Sequence, residues 1–340
     1  MIGNNVRVGV VGTGHLGAIH AKLWKNCTGA ELAGIFDADT ERSCKIAAEH
    51  GIKAFESLGE TLDSCDAITI ATPTSVHFDI AREALLRGKH CFIEKPITVS
   101  YAEAESLIEK AERVKRVIQV GHVERFNPGI TALSGYKIAP MFIEAHRLAQ
   151  FKPRATDVSV VLDLMIHDLD IVLWLVKSPV VSVAAHGVSV LTDTTDIANA
   201  RITFANGCVA NITASRISAQ PMRKLRMFQR DAYISVDFAK GESEIYRLTD
   251  EALPPSARAT TLGNIETGSR NVSIVFEKPL SQTVNAIAEE QKAFIESICS
   301  GRPVAVSARE AAEALRLAEI ITDEIVAQSR NILVGNNGKI

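Results

Sequence analysis

The chain has 340 residues, of which 46% are hydrophobic and 23% charged, and its formal net charge is −3. This length exceeds one ordinary core and fits two domains, and the composition is that of a globular protein. The small negative charge argues against a nucleic-acid partner. The six cysteines form no CxxC pair, so we expect neither disulfides nor a metal site. The chain has no apolar run long enough to span a membrane, and its first predicted strand starts at residue 6. We therefore expect a cytoplasmic protein without a signal peptide or membrane partner.

The first third of the chain alternates short apolar runs with helical segments. Strands are predicted at residues 6–11, 32–36, 67–71, 90–93 and 117–120. The helices between them include residues 40–50, residues 74–87 and one opened by a capping box of Ser100 and Glu103. This alternation predicts an α/β domain with a parallel, doubly wound sheet.

The pattern changes near Phe126, so we place a first domain at residues 1–124 and a second at residues 125–340. Residues 160–176 are apolar nearly all round, which indicates a buried helix. Strand-like segments 197–204 and 208–215 flank Asn206-Gly207, a strong hairpin signal. The second domain is therefore predicted to be α+β with an antiparallel or mixed sheet. Residues 249–270, rich in turn residues, are predicted to be a surface loop or lid.

A glycine loop, Gly12-Thr13-Gly14-His15-Leu16-Gly17, follows the first strand and opens a helix. In a dinucleotide site the first glycine permits the turn, the second admits the pyrophosphate, and the third lets helix and sheet pack closely. The helix N-terminus provides N–H groups for the phosphates. A glycine turn with only a structural role is the alternative.

Asp37 lies 20 residues beyond Gly17, at the end of the second strand. A carboxylate there can accept both ribose hydroxyls and would repel a 2′-phosphate, and the residues that follow it, Ala38 and Asp39, are not basic. We therefore predict NAD rather than NADP as the cofactor. Asp37 could instead cap the next helix.

Two more segments end strands on the same predicted edge of the sheet. Ala71-Thr72-Pro73-Thr74 could line the cofactor, with His77 on the next turn as a further contact or simply a cap or surface residue. Glu94-Lys95-Pro96 would hold Lys95 on a stiff turn, where its charge could polarise a hydroxyl. The same tripeptide at residues 277–279 leaves a strand of the second domain, and we interpret it as coincidence.

Asp163 and His167 are four residues apart in the apolar helix, so both side chains should share one face. Polar groups in apolar surroundings are costly to bury unless they have partners. They are therefore either functional or a buried structural pair.

In these motifs the chain resembles the Gfo/Idh/MocA oxidoreductases over nearly its whole length. The resemblance implies a Rossmann domain followed by a domain with a large open, mainly antiparallel sheet that mediates oligomers, here a homodimer or homotetramer. It also implies that Lys95, Asp163 and His167 form a catalytic group facing the nicotinamide, with Glu94 and Lys95 also near the cofactor.

Residues 120–128, with Thr156-Asp157-Val158, look like the branch acting on nucleotide-linked sugars. This finer resemblance implies oxidation of the C3 hydroxyl of a UDP-N-acetyl hexosamine. Three residues would join the catalytic group in binding substrate. They are Arg125, Asn127 and Arg154. A surface salt bridge is the alternative for Arg154.

In the expected reaction His167 takes the hydroxyl proton, Lys95 stabilises the alkoxide, and Asp163 orients His167 or keeps Lys95 protonated. Lys95 and His167 could exchange roles. The hypothesis requires the three side chains to converge beside the cofactor. Alternatives are a dehydrogenase of a free sugar, inositol or sugar acid, and a non-catalytic NAD-binding sensor.

Overall fold

The computed structural model describes residues 5–153, 158–250, 259–267 and 270–336. The chain groups into two compact units. The first comprises Met1–Phe126 and Val284–Arg316, and the second comprises Asn127–Thr283 and Leu317–Ile340. The boundary drawn from the sequence assigns everything after residue 124 to the second domain, whereas the structure returns residues 284–316 to the first unit.

The first unit contains a parallel sheet with helices between its strands. Its leading elements in chain order are β1 (Val6–Val11), α1 (His15–Trp24), β2 (Ala30–Phe36), α2 (Thr40–His50), α3 (Leu58–Ser64), β3 (Ala67–Ile70), α4 (His77–Leu86), β4 (His90–Glu94), α5 (Tyr101–Val114) and β5 (Ile118–Gly121). Short 3₁₀ turns lie at Thr74–Val76 and Val123–Phe126. The strand order is β2-β1-β3-β4-β5 with parallel pairing, which confirms the predicted doubly wound sheet.

Local signals place the ends of these helices. Gly51 ends α2 in the left-handed conformation, with φ of 60°. Ser100 accepts a hydrogen bond from the Glu103 N–H at 3.3 Å and so caps α5 as predicted. Helix α3 was not predicted, because only Thr61 and Leu62 of its seven residues are buried and no apolar stripe marks it.

The returning segment completes the core of the first unit. It contains α8 (Ala286–Ser300) and the start of α9 (Ala308–Asn336). The Phe294 ring of α8 packs edge-on against Trp24 and Phe92, at centroid distances of 6.4 and 5.8 Å. The backbone N–H of Val120 also donates to the carbonyl of Val306 at 3.2 Å. These contacts explain why residues 284–316 belong with the first sheet.

The second unit is built on a nine-stranded sheet. After α6 (Pro128–Thr131), its elements are β6 (Phe142–Leu148), a π-helical turn (Val161–Met165), α7 (Ile166–Val176), β7 (Val180–Val188), β8 (Ile197–Phe204), β9 (Val209–Ser215), β10 (Met222–Phe228), β11 (Ala232–Asp237), β12 (Glu242–Thr249), β13 (Ala259–Thr267) and β14 (Arg270–Glu277). Among the described residues the strand order is β13-β14-β12-β11-β10-β6-β9-β8-β7. All neighbours pair antiparallel except β6 and β9, which confirms a large, mainly antiparallel sheet.

The predicted hairpin at Asn206-Gly207 is confirmed. Gly207 has a φ of 85°, a backbone conformation that side-chain-bearing residues rarely adopt. The Asn206 side chain accepts a hydrogen bond from the Cys208 N–H at 3.0 Å. The turn therefore joins β8 directly to β9.

The predicted loop or lid at residues 249–270 is wrong for its later part, because residues 259–267 form β13 against β14. Residues 261–266 are all exposed, so no alternation of buried and exposed positions marks this strand. A register shift between Thr261 and Gly263 disturbs the pattern further. Residues 251–258 lie outside the described part of the chain.

The two faces of the nine-stranded sheet differ. One face packs against α7 and the later part of α9, including Leu317, Ile321 and Ile325. The other carries an aromatic row, one ring from each of five neighbouring strands, with successive centroids 5.9, 5.0, 5.7 and 5.1 Å apart. The aromatic row consists of Phe142, Phe228, Tyr233, Tyr246 and Phe276. No helix within the described residues is long and apolar enough to cross a membrane.

Candidate functional site

The glycine loop lies between β1 and α1, at the carboxyl edge of the first sheet. Gly12 has a φ of 89°, and a Cβ there would stand 2.7 Å from the Ala71 carbonyl oxygen. A Cβ on Gly17 would stand 1.8 Å from the Gly12 carbonyl oxygen, so no side chain fits there. A Cβ on Gly14 would meet no described atom within 4 Å. The loop is therefore tight at Gly12 and Gly17 and open at Gly14, as close approach of a pyrophosphate requires.

A groove of about 570 Å³ borders this loop, and its lining includes Thr13, Lys22 and Arg42. Helix α1 begins beside it, with Gly14 as the N-cap. The first N–H groups of a helix lack intrahelical partners and carry partial positive charge. Together with Lys22 and Arg42 they suit an anionic ligand such as a dinucleotide pyrophosphate.

Asp37 faces the glycine loop from the end of β2. Its Oδ2 accepts hydrogen bonds from the Thr13 backbone N–H at 2.6 Å and the Thr13 hydroxyl at 2.9 Å, and its Oδ1 accepts one from the Asp39 N–H at 2.9 Å. Burial raises the pKa of Asp37, but these hydrogen bonds and the charge of Arg42 outweigh it and hold that pKa below its usual value. The carboxylate is therefore ionised, as recognition of ribose hydroxyls requires.

The N-cap of α2 is Asp39, which accepts from the Arg42 N–H at 3.0 Å, so Asp37 is not the helix cap. The Arg42 guanidinium lies 3.4 Å from Asp37 and 2.8 Å from Asp39. Sequence reasoning missed Arg42, because it considered only the residues directly after Asp37. Helical spacing brings a residue five positions along the chain back to the same carboxylate.

His77 connects the turns that follow β3 and β4. Its two ring nitrogens each lie 3.0 Å from a backbone carbonyl oxygen, one of Thr72 and the other of Pro96. The residue is 1% exposed, and burial is the main cause of its lowered pKa. His77 therefore supports both turns, and its contact with the cofactor stays a prediction. The Thr72 hydroxyl oxygen is shielded from solvent and has no hydrogen-bond partner among the described residues.

Lys95 follows directly after β4 and is half-buried, and its peptide bond to Pro96 is cis. The preceding Glu94 carboxylate turns into the protein: its Oε1 lies 2.7 Å from His20 Nε2, and its Oε2 lies 3.3 Å from the Lys95 N–H. Burial raises the pKa of Glu94, but the His20 hydrogen bond and the Lys95 charge outweigh it, and the pKa is lowered. Glu94 was predicted to contact the cofactor, whereas its described contacts support the Lys95 turn.

The second Glu-Lys-Pro copy provides a contrast. Lys278 follows β14 and pairs with Glu242 at 3.0 Å, and both side chains are at least two-fifths exposed. Lys278 and Glu242 therefore form an ion pair on the protein surface.

In the second unit, Asp163 lies in the π-helical turn and His167 is the second residue of α7. The helix predicted over residues 160–176 is confirmed, and the structure adds a π-helical turn near its start. A π-helical turn is wider than an α-helical one and frequently occurs at functional sites. Both side chains are half-buried and both make contacts.

Buried ion pairing fixes the first turn of α7. Arg147 of β6 forms a two-pronged bond with Asp168, Nε to Oδ2 at 2.8 Å and Nη2 to Oδ1 at 3.0 Å. The two side chains are only 4% and 1% exposed. Asp168 was given no role from the sequence, since its partner lies on another element. The pair holds the turn that carries His167 against the sheet.

The remaining predicted substrate contacts are engaged within the protein. Arg125 Nη1 donates to Glu310 Oε1 at 2.8 Å within the first unit. Asn127 caps α6 through the Gly129 N–H and donates to the Phe238 carbonyl at 3.0 Å. Both side chains therefore have a structural role, and their contact with substrate stays a prediction. Arg154, Thr156 and Asp157 lie outside the described residues.

A parallel sheet, a tight glycine loop at its carboxyl edge and an ionised aspartate facing that loop define a dinucleotide-binding protein. The chain matches the family described as "Oxidoreductase family, NAD-binding Rossmann fold" over residues 6–122, and the GFO/IDH/MocA C-terminal domain over residues 136–241. The chain therefore belongs to the Gfo/Idh/MocA oxidoreductases, and its cofactor is NAD.

Among curated relatives, the UDP-N-acetylglucosamine 3-dehydrogenase of Acidithiobacillus ferrooxidans is 41% identical over 302 residues, covering 88% of this chain and 91% of the relative. A solved structure of that enzyme aligns with a TM-score of 0.85 at 38% identity, covering 96% of this chain and 99% of the other. The scyllo-inositol 2-dehydrogenase (NAD(+)) of Bacillus subtilis is 32% identical over 235 residues, covering 63% of this chain and 68% of the relative.

Proposed function

We propose that this protein oxidises the C3 hydroxyl of UDP-N-acetylglucosamine to a ketone with reduction of NAD. The observation that carries the proposal is the 41% identity to a UDP-N-acetylglucosamine 3-dehydrogenase over 88% of the chain. That likeness covers the second unit as well as the NAD-binding unit. It therefore extends to the part of the chain that lies outside the cofactor domain.

The proposed catalytic residues are Lys95, Asp163 and His167. His167 accepts the proton of the C3 hydroxyl, Lys95 stabilises the negative charge that develops on the oxygen, and Asp163 orients His167. NAD, when bound, accepts the hydride from the same carbon, so the alcohol loses one proton and one hydride and becomes a ketone. The half-buried setting of these side chains supports the assignment, because charge stabilisation is stronger where water is partly excluded.

The proposed cofactor contacts follow the carboxyl edge of the first sheet. The glycine loop and the N-terminus of α1 receive the pyrophosphate, and Asp37 accepts the adenosine ribose hydroxyls. Residues 71–74, including Thr72, line the path toward Lys95. The openness at Gly14 supports this arrangement.

An inositol is the second candidate substrate, because an inositol dehydrogenase is 32% identical over 63% of the chain. The test is NADH formation with a panel of UDP-N-acetylglucosamine, UDP-N-acetylgalactosamine, UDP-glucose, free N-acetylglucosamine, myo-inositol and scyllo-inositol. The proposal expects the highest kcat/KM with UDP-N-acetylglucosamine, with a 3-keto product identified by NMR. A preference for an inositol, or oxidation at another carbon, would reject it.

We further propose that the protein is cytoplasmic and forms a homodimer or homotetramer through the face of the nine-stranded sheet that carries the aromatic row. The support is the row itself, since aromatic rings are enriched at subunit interfaces. Light scattering after gel filtration should give a mass of two or four chains. Replacing Tyr233 and Tyr246 by lysine should reduce that mass, and an unchanged oligomer would place the interface elsewhere.

A further inference from the structure

A cluster of polar side chains lies inside the first unit, behind Lys95. It consists of His20 from α1, Glu94 from β4, and Glu290 and Gln291 from α8. None of the four is more than 8% exposed. Buried polar groups are stable only when their hydrogen-bonding capacity is met. The hydrogen-bond partners in this cluster therefore indicate which side chains carry a proton.

Gln291 fixes the protonation of His20. The Gln291 Nε2 lies 3.0 Å from His20 Nδ1 and 3.2 Å from the His20 backbone carbonyl oxygen. A carbonyl oxygen only accepts, so the amide NH₂ must occupy this position and His20 Nδ1 must accept. His20 is therefore a neutral imidazole with its proton on Nε2, and it donates that proton to Glu94 Oε1 at 2.7 Å.

Glu94 is consequently the charged member of the cluster. It receives one hydrogen bond from His20 Nε2 and another from the Lys95 backbone N–H. The Lys95 side-chain charge also favours its ionised form. Hydrogen bonds from two donors and a neighbouring cation are what stabilise a buried carboxylate.

Glu290 has no comparable support. It is 0% exposed, and neither carboxyl oxygen has a hydrogen-bond partner among the described residues. A side-chain oxygen of Glu290, a side-chain oxygen of Glu94 and a ring nitrogen of His20 lie within 4.8 Å of one another. The nearby Gln119 amide is committed to the Glu290 backbone carbonyl at 2.7 Å. Burial and the Glu94 charge both raise the pKa of Glu290 well above its usual value.

We infer that Glu290 is a neutral carboxylic acid beside the Glu94 carboxylate, forming a proton-holding site behind Lys95. The titratable groups facing this site are His20 from α1, Glu94 and Lys95 at the end of β4, and Glu290 from α8. The site carries one negative charge, on Glu94, opposite the Lys95 cation. Glu290 is thus a positioning residue that acts on Lys95 through Glu94. Only this link to Lys95 rests on the proposed function.

The direct test is infrared spectroscopy of the whole protein. A neutral buried carboxylic acid gives a C=O stretch separate from that of carboxylates, and the band shifts on exchange into D₂O. The wild type should show this band and Glu290→Gln should lack it. Glu296→Gln, an exposed change on the same helix, should retain it. A wild type without the band, or a band that survives in Glu290→Gln, would overturn the inference.

Thermal unfolding provides a second readout independent of turnover. A carboxyl group with a raised folded-state pKa contributes stability below its unfolded pKa, and that contribution is lost as pH rises toward the folded value. The Glu290→Gln variant lacks this carboxyl group, so it does not lose this stability as the pH rises. Its Tm relative to wild type should therefore increase from about pH 5 to about pH 9, whereas Glu296→Gln should give a flat difference. A flat difference for Glu290→Gln would contradict a neutral Glu290.

Kinetics test the link to Lys95. The side-chain amide introduced by Glu290→Gln keeps a neutral polar group with hydrogen-bond donors beside Glu94, whereas the apolar side chain introduced by Glu290→Leu does not. The glutamine variant should therefore retain more of kcat than the leucine variant, with similar KM for NAD in both. Equal kcat in the two variants would reject the positioning role. A wild type that shows the infrared band but has no activity with UDP-N-acetylglucosamine would instead count against the proposed substrate.

Discussion

Gly121 lies against the Glu94 carboxylate: a Cβ on Gly121 would stand 2.9 Å from Glu94 Oε1 and 3.0 Å from its carboxyl carbon. The absence of a side chain on β5 therefore leaves room for the charged group of β4. Because Glu94 also contacts His20 and the Lys95 N–H, the effect of a change at Gly121 should reach the Lys95 turn.

We expect Gly121→Ala to displace the Glu94 carboxylate and lower both stability and kcat. Overpacking of this kind costs about 1–3 kcal/mol. Chemical denaturation and steady-state kinetics measure the two effects. Gly263→Ala is the matched control, since a Cβ there meets no described atom within 4 Å. Equal stability of the two variants would show that Glu94 moves without penalty.

Removal of a proposed catalytic side chain should separate cofactor binding from turnover. Lys95→Ala and His167→Ala should each reduce kcat by roughly 10²–10⁴-fold, the usual contribution of a positioned acid or base. NAD affinity, measured by calorimetry, should change little. Lys278→Ala removes the lysine of the other Glu-Lys-Pro copy and should keep full activity. Normal turnover in either catalytic variant would reject that assignment.

Asp37 and Arg42 should together control the choice of cofactor. Asp37→Ser removes the charge that repels a 2′-phosphate and frees Arg42 from its contact at 3.4 Å. We expect weaker NAD binding and tighter binding of 2′,5′-ADP, a probe that carries the extra phosphate. Adding Arg42→Ala should remove the gain. If the single variant gains no affinity for the probe, Arg42 does not reach the phosphate.

Breaking the buried Arg147–Asp168 pair should be strongly destabilising. Asp168→Asn removes the carboxylate charge that pairs with the buried Arg147 guanidinium, and breaking a buried pair costs about 3–5 kcal/mol. Glu112→Gln breaks the exposed pair with Arg309 and should have no measurable effect, because exposed pairs contribute little. Urea unfolding compares the two. A small loss for Asp168→Asn would mean that other groups satisfy Arg147.

Features encoded over a few neighbouring residues could be predicted from the sequence. The glycine loop, the Asn206-Gly207 hairpin and the Ser100 cap each depend on local backbone geometry, and the structure contains them. The parallel pairing of the first sheet followed from the alternation of strands and helices.

Contacts distant in sequence could not be predicted in this way. His20 meets Glu94 across 74 residues and Gln291 across 271 residues, and no periodicity in the chain links them. The π-helical turn at Asp163 could not be predicted because the residues around it are apolar nearly all round. A change in helical pitch there does not alter the hydrophobic pattern of the sequence. Strand β13 was missed because both of its faces are exposed.

The return of residues 284–316 to the first unit has a practical consequence for anyone dividing this protein. A fragment ending at Phe126 would leave the Trp24 and Phe92 rings without Phe294 and would lack Glu290 altogether. Swapping cofactor modules between relatives therefore requires grafting two separate stretches of polypeptide. A single cut after the fifth strand would yield an incomplete and aggregation-prone product.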